Sequence, residues 1–148
     1  MNILNEMNIS FSSKSTNEGF ARSVVSTFAL QLDPTIGDLA DIKTAVSEAV
    51  TNCIVHGYEM GSGTIYINAK IVEPNRIIIK IRDKGKGIPD IAKAMEPLFT
   101  TAADQERAGL GFAVMQSFMD RVKVTSTVDK GTVVTMEKSI INKNYEKH

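Results

Sequence analysis

An α+β sandwich, two layers deep, with helices on one face of a mainly antiparallel mixed sheet, is the fold this chain predicts. Three observations carry that reading. Thr64 to Val72 alternates with Ile65, Ile67, Ala69 and Ile71 on one side, and Arg76 to Arg82 returns with Ile77, Ile79 and Ile81. The Glu73-Pro74-Asn75 turn between them makes a hairpin. A second β-rich pair, Arg121 to Thr127 and Thr132 to Ser139, is joined by Val128-Asp-Lys-Gly131. Ahead of both hairpins lie two stretches whose apolar residues recur at helical spacing.

Taken in order, Met7 to Ser12 alternates, with Ile9 and Phe11 on one side, and predicts a short edge strand. Ser15-Thr-Asn-Glu18 has capping-box form. Behind it Phe20, Val24, Phe28 and Leu32 give a helical stripe that Asp33-Pro34 ends. A second helix begins near Thr35 to Asp38 and buries Ile36, Leu39, Ile42, Val46, Ala49, Cys53 and Ile54, with Gly57 as its C-terminal glycine. After the first hairpin, in which Ile78 is the isoleucine expected outside the core, Asp83-Lys-Gly85-Lys-Gly87-Ile-Pro89 is a glycine loop. A short helix around Asp90 to Met95 and a long polar loop from Pro97 to Gly109 follow. Gly109-Leu110-Gly111 then opens a helix through Phe112, Val114, Met115, Phe118 and Met119. The whole reads as one domain, residues 1–148, with a polar tail from about residue 140.

Composition narrows the function classes. With 148 residues, 43% hydrophobic, there is apolar matter for one core. Seventeen basic residues balance seventeen acidic ones, which gives no electrostatic footprint for nucleic acid. No apolar run approaches the roughly twenty residues of a membrane span, and the first residues lack the pattern of a signal peptide. A single cysteine forms no internal disulfide. The expectation is a cytoplasmic protein that engages neither nucleic acid nor membrane directly.

The chemistry-bearing stretch is Glu48-Ala-Val-Thr-Asn52. Residues four apart share a helix face, so a carboxylate and a carboxamide project together. A carboxylate accepts a proton from an attacking hydroxyl, and an amide oxygen suits Mg²⁺. Two glycine clusters follow: glycine lets backbone N–H groups approach an anion closely, and Gly109 to Gly111 stands where a helix begins. No Walker A string, eukaryotic-type kinase set or dinucleotide fingerprint is present. On residue grounds alone His56 reads as a structural hydrogen-bonder, Cys53 and the Met115, Phe118, Met119 run as core, and Arg22 as a solvated helix charge.

The order of these features resembles the Bergerat-type nucleotide-binding fold shared by gyrase, Hsp90 chaperones, histidine kinases and MutL, the GHKL superfamily. Glu48 to Asn52 look like its N box, Asp83 to Gly87 and Gly109 to Gly111 its glycine boxes, and Gly131-Thr132 its closing threonine element. Within it, Phe20-Ala-Arg22, Gln31-Leu-Asp-Pro34, Val46-Ser-Glu-Ala-Val-Thr-Asn52, His56-Gly-Tyr58, Pro97-Leu-Phe-Thr-Thr101 and Gly111-Phe112 look very like the anti-sigma F family of endospore-forming bacteria.

That resemblance implies an ATP-dependent serine kinase that binds a sigma factor and phosphorylates an anti-anti-sigma protein, working as a homodimer. It implies ATP or ADP with Mg²⁺ as ligands. Glu48 would be the base and Arg107 would stabilise the transferring phosphoryl group. Asn52 would hold the metal, and Asp83 would accept from the adenine amino group with Thr132 assisting. Gly85, Gly87 and Ile88 would line the base pocket, and Thr100 and Thr101 would lie over the phosphates. Gly109, Leu110, Gly111 and Phe112 would donate N–H groups to them, and Arg22 would meet a partner. One departure is marked: after Thr101 the family pattern runs Lys-Pro-Glu-Leu-Glu-Arg, whereas Ala102-Ala-Asp-Gln-Glu-Arg107 stands here, without the lysine as a phosphate contact. Two alternatives follow from the same resemblance: a non-catalytic, nucleotide-gated sigma-binding module, and a stress-type switch kinase with another sigma factor.

Overall fold

The computed structural model describes residues 2–95 and 111–141. Among these residues five strands form one sheet: Ile3–Ser12 (β1), Thr64–Val72 (β2), Arg76–Asp83 (β3), Arg121–Thr127 (β4) and Gly131–Ser139 (β5), in the order β1-β2-β3-β5-β4. Every neighbouring pair is antiparallel. The expected mixed sheet is therefore corrected to an antiparallel one among the described residues. β3 and β4 do run the same way, but β5 inserts between them, so no parallel pair shares hydrogen bonds.

Among the described residues four α-helices accompany the sheet: Thr16–Ala29 (α1), Ile36–Asn52 (α2), Ile91–Ala94 (α3) and Phe112–Phe118 (α4). The core lies where α1, α2 and α4 meet the inward side of the strands. Ile77, Ile79 and Ile81 of β3 are fully buried there, beside Ile65, Ile67 and Ile71 of β2. Each such isoleucine contributes about 1.5–3 kcal/mol of apolar burial. Ile78 points the other way and is half-buried, as its place in the alternation predicts. The opposite side of the sheet carries polar pairs, with Arg82 stacked 4.8 Å over the Tyr66 ring and Arg76 paired to Glu137 at 3.2 Å.

Three local expectations are corrected. The α1 stripe is rotated by one residue: Ala21, Val25 and Ala29 are buried, while Phe20 is half exposed and packs edge-on against Phe11 of β1, 6.0 Å between ring centres. Small side chains on that face let α1 approach α2 closely, and the bulkier Phe28 and Leu32 fill the margins. Ser15 makes no side-chain cap; it is already in helical backbone, and Glu18 turns to Arg22 one turn on at 3.1 Å. The capping box sits instead at Thr35 and Asp38, where each side chain takes the other's backbone N–H at 3.0 and 3.1 Å. Gly57 is no left-handed cap. It lies inside a π-helical turn, Cys53–Gly57, that continues α2.

Candidate functional site

Glu48 and Asn52 occupy the last turns of α2, and the π turn begins at the next residue. Such a widened turn re-aims the side chains beyond it and is frequent at functional sites. Here it brings both Cys53 and Gly57 against Asp83, the last residue of β3. Glu48 is half-buried, and burial first, then the negative charge of Glu18, holds its carboxyl above the ordinary range. Directly over it stands Gly111, the residue that opens α4. Gly111 has φ +71°, a backbone that strains any other residue, and a Cβ there would push the Glu48 carboxylate aside. The carboxylate thus faces the backbone at the head of α4.

Asp83 is 5% exposed. Burial pushes its carboxyl up, and hydrogen bonds from the Gly85 N–H, the Cys53 thiol and the Thr132 backbone pull it back. The Gly85 N–H reaches Oδ1 at 2.9 Å. Three glycine approaches close around this carboxylate. A Cβ on Gly57 would stand 2.8 Å from Asp83 Cγ. A Cβ on Gly85 would strike the Gly57 carbonyl, and one on Gly131 would strike the Asp83 carbonyl. Lys86 N–H donates to the same Gly57 carbonyl at 2.9 Å, tying the glycine loop to the end of the π turn. The result is a cradle of closely fitted backbone around one buried acid that already accepts from Gly85 and Cys53.

Two hydroxyl side chains fix this cradle. Tyr58 donates to the Thr64 carbonyl at 2.6 Å and accepts the Lys84 N–H at 2.7 Å, joining the starts of β2 and the glycine loop. Ser126 of β4 accepts the Ile88 N–H at 2.7 Å, donates to the Gly131 carbonyl at 3.0 Å and lies 2.8 Å from Thr132 Oγ1. Thr132 is in turn the register partner of Asp83 across β5 and β3. Gly87, at φ +78°, presses so closely on the Thr127 carbonyl that a Cβ would not fit.

The model of the histidine kinase-like ATPase domain matches residues 11–138. An anti-sigma F factor of Thermoanaerobacter pseudethanolicus is 61% identical over 140 residues, which cover 95% of this chain and 97% of that protein. One of Priestia megaterium is 49% identical over 139 residues, covering 93% and 95%. The chain belongs to the anti-sigma F factor family. Among solved structures, the RsbU and RsbW domains of a Mycobacterium tuberculosis protein align with TM-score 0.66 at 17% identity, over 92% of this chain and 32% of that one. The catalytic domain of the histidine kinase ThkA aligns with TM-score 0.55 at 16% identity, over 95% and 97%. Both likenesses show the shared fold.

For this anti-sigma F family member, the described structure brings Glu48, Gly111 and Phe112 together at one end of α2, and Asp83, Gly85, Gly87, Ile88 and Thr132 together at the ends of β3 and β5. Asn52 is the last residue of α2. Phe112 is itself buried and packs into the core. Thr100, Thr101, Arg107, Gly109 and Leu110 lie outside the described residues. Arg22 stands apart on α1, exposed, paired to Glu18 at 3.1 Å and reaching Ser47 of α2 at 3.3 Å. Sequence reasoning missed Cys53, Gly57, Tyr58 and Ser126 as parts of the site. The His56-Gly57-Tyr58 string was in view, but its role depends on chain that folds back onto it from β3.

Proposed function

We propose that this protein is a serine kinase and anti-sigma factor: it transfers the γ-phosphoryl group of ATP to a serine of an anti-anti-sigma protein and also holds a sigma factor inactive. The observation that carries the reading is the placement of an elevated carboxyl, Glu48, against the backbone that opens α4, on the helix whose π-helical continuation meets Asp83. Family membership supports the partner classes, because the relatives bear the name anti-sigma F factor.

In this reading Asp83 accepts from the adenine amino group, with Thr132 beside it, and Gly85, Gly87 and Ile88 supply the base pocket. Thr100, Thr101 and the N–H groups from Gly109 to Phe112 hold the phosphates, and Arg107 stabilises their transferring charge. Mg²⁺ fits a site with one amide oxygen, Asn52, and no cluster of three acidic or histidine ligands among the described residues, since this ion keeps waters and phosphate oxygens as ligands. When bound it would neutralise phosphate charge. The acceptor serine loses its proton to Glu48 as its oxygen bonds to phosphorus and the bond to the ADP oxygen breaks. Arg22, outside the cleft, is the partner contact. The protein acts as a single cytoplasmic domain and a homodimer, joined through the open sheet face or an edge strand.

The test is transfer of label from γ-labelled ATP into the proteins of a host lysate, wild type beside Glu48→Gln. An acid-stable band in a small acceptor, seen with wild type alone while both forms bind ADP, supports the kinase. Acid-labile label on the protein itself overturns it in favour of histidine chemistry. ADP binding with no transfer by wild type leaves a nucleotide-gated sigma-binding module.

A further inference from the structure

Ser126 was no part of the expected site, yet three polar groups converge on its hydroxyl. A hydroxyl has one proton to give and two lone pairs. The Ile88 N–H can only donate, so it takes one lone pair. The Gly131 carbonyl can only accept, so the single proton of Ser126 is committed to it. Were that proton turned to Thr132 instead, Ser126 Oγ and the Gly131 oxygen would face each other lone pair to lone pair at 3.0 Å. The contact of 2.8 Å to Thr132 Oγ1 must therefore be made with the threonine's proton.

We infer that Ser126 is a specificity-determining residue: by taking the Thr132 proton it leaves Thr132 facing the base pocket as an acceptor only. The inference rests on the reading of Asp83 as the acceptor for the nucleobase amino group. Asp83 and Thr132 are opposed across β3 and β5, so the pocket presents two acceptors and no hydroxyl proton. A purine with an amino group at position 6 supplies donors to that pair. A purine with an oxygen there brings a further lone pair and is rejected, because the polar group it needs is absent from the site. Ser126 touches no ligand itself; it acts through Thr132 and is a positioning residue.

The experiment measures dissociation constants of ADP and of inosine diphosphate, which carries oxygen at position 6, by calorimetry. Wild type is compared with Ser126→Ala, Thr132→Val, the double variant and Asp83→Asn, with circular dichroism reporting the fold. The expected result is a preference for ADP in wild type that narrows about fivefold to tenfold in Ser126→Ala, the worth of about one neutral hydrogen bond. Much of that narrowing comes from tighter binding of the inosine nucleotide, since the Thr132 proton is free to turn outward. Thr132→Val narrows the preference too, and the double variant adds little to either single change. Equal weakening of both nucleotides in Ser126→Ala makes the serine a mere brace of the Ile88 loop and overturns the inference. A misfolded Ser126→Ala leaves Thr132→Val to decide: an unchanged preference there also overturns it. A preference that is insensitive to Asp83→Asn removes the reading of the pocket itself. One that depends on Asp83 but not on Ser126 or Thr132 removes only this inference.

Discussion

Gly57 and Asp83 stand so close that a single methyl group on the glycine would lie 2.8 Å from the aspartate Cγ, 2.9 Å from each carboxylate oxygen. The π turn after α2 and the end of β3 are thus fitted to one another through a missing side chain. Gly57→Ala forces the carboxylate to move, at about 1–3 kcal/mol of overpacking. ADP affinity should fall at least tenfold, by calorimetry, in a protein that still folds and whose melting temperature drops by about 2–12 °C.

With Glu48 as the proposed base, the expected pH dependence follows from its carboxyl. Its carboxyl lies above the ordinary 4.5, through burial first and the negative charge of Glu18 second. A base must be ionised to accept a proton, so in the proposed reaction phosphotransfer should be lost as pH falls through this raised value, earlier than for an ordinary carboxylate. Glu18→Gln removes one raising influence and shifts the acid limb of the kcat profile to lower pH. For stability the sign is opposite to that of a salt-bridged acid: the raised carboxyl disfavours the folded state above its folded pKa, and acidification through that value relieves the penalty.

Gly111→Ala confronts two obstacles at once, a left-handed backbone and the Glu48 carboxylate. The strain alone is about 1–2 kcal/mol. The expected outcome is a loss of that order in urea unfolding, together with a fall in kcat well beyond what the lost stability explains. Gly37→Ala, where the nearest neighbour lies an ordinary 3.7 Å away, is the control that leaves both near wild type.

Cys53 is buried, and desolvation together with the adjoining Asp83 charge holds its thiol well above the usual value. As the sole cysteine it gives a clean chemical readout. Alkylation by iodoacetamide at neutral pH should be slower than for an unfolded control by several orders of magnitude, tracking the population of the open state. The rate is read by mass spectrometry.

Lys138 of β5 donates to the Phe118 carbonyl at the end of α4 at 2.9 Å and lies 3.6 Å from Asp41 of α2. Lys138→Met keeps the apolar stem but leaves that carbonyl without its donor, so unfolding should become easier by about 1–3 kcal/mol. Asp41 is a third exposed and finds water when its partner goes, so Asp41→Asn should cost less.

The strands were legible because a period of two leaves little choice: the limits of β2 and β4 follow the alternation residue for residue. The buried face of α1 was not, because apolar residues occupy two adjacent stripes and only side-chain size decides between them. Large Phe20 and Phe28 made the louder signal, and small Ala21, Val25 and Ala29 won the close approach to α2. The mixed sheet was misjudged because strand direction does not reveal which strand inserts beside which. In the site, Glu48, Asp83 and the glycine boxes were legible as ordered strings. Ser126 looked like any hydroxyl on a strand, since its meaning comes from Ile88 and Thr132, brought beside it only by the fold.

The carboxylate cradle has no wall of its own. Gly57, Gly85 and Gly131 come from three separate parts of the chain, and each is fitted to backbone or carboxylate supplied by another. A pocket of that construction cannot survive partial unfolding, so a nucleotide that occupies it binds the native state and nothing less. At a free concentration a hundredfold above its dissociation constant, such a ligand adds about 2.7 kcal/mol to the stability of the domain. The concentration of free nucleotide then sets the stability of the domain as well as the filling of its site.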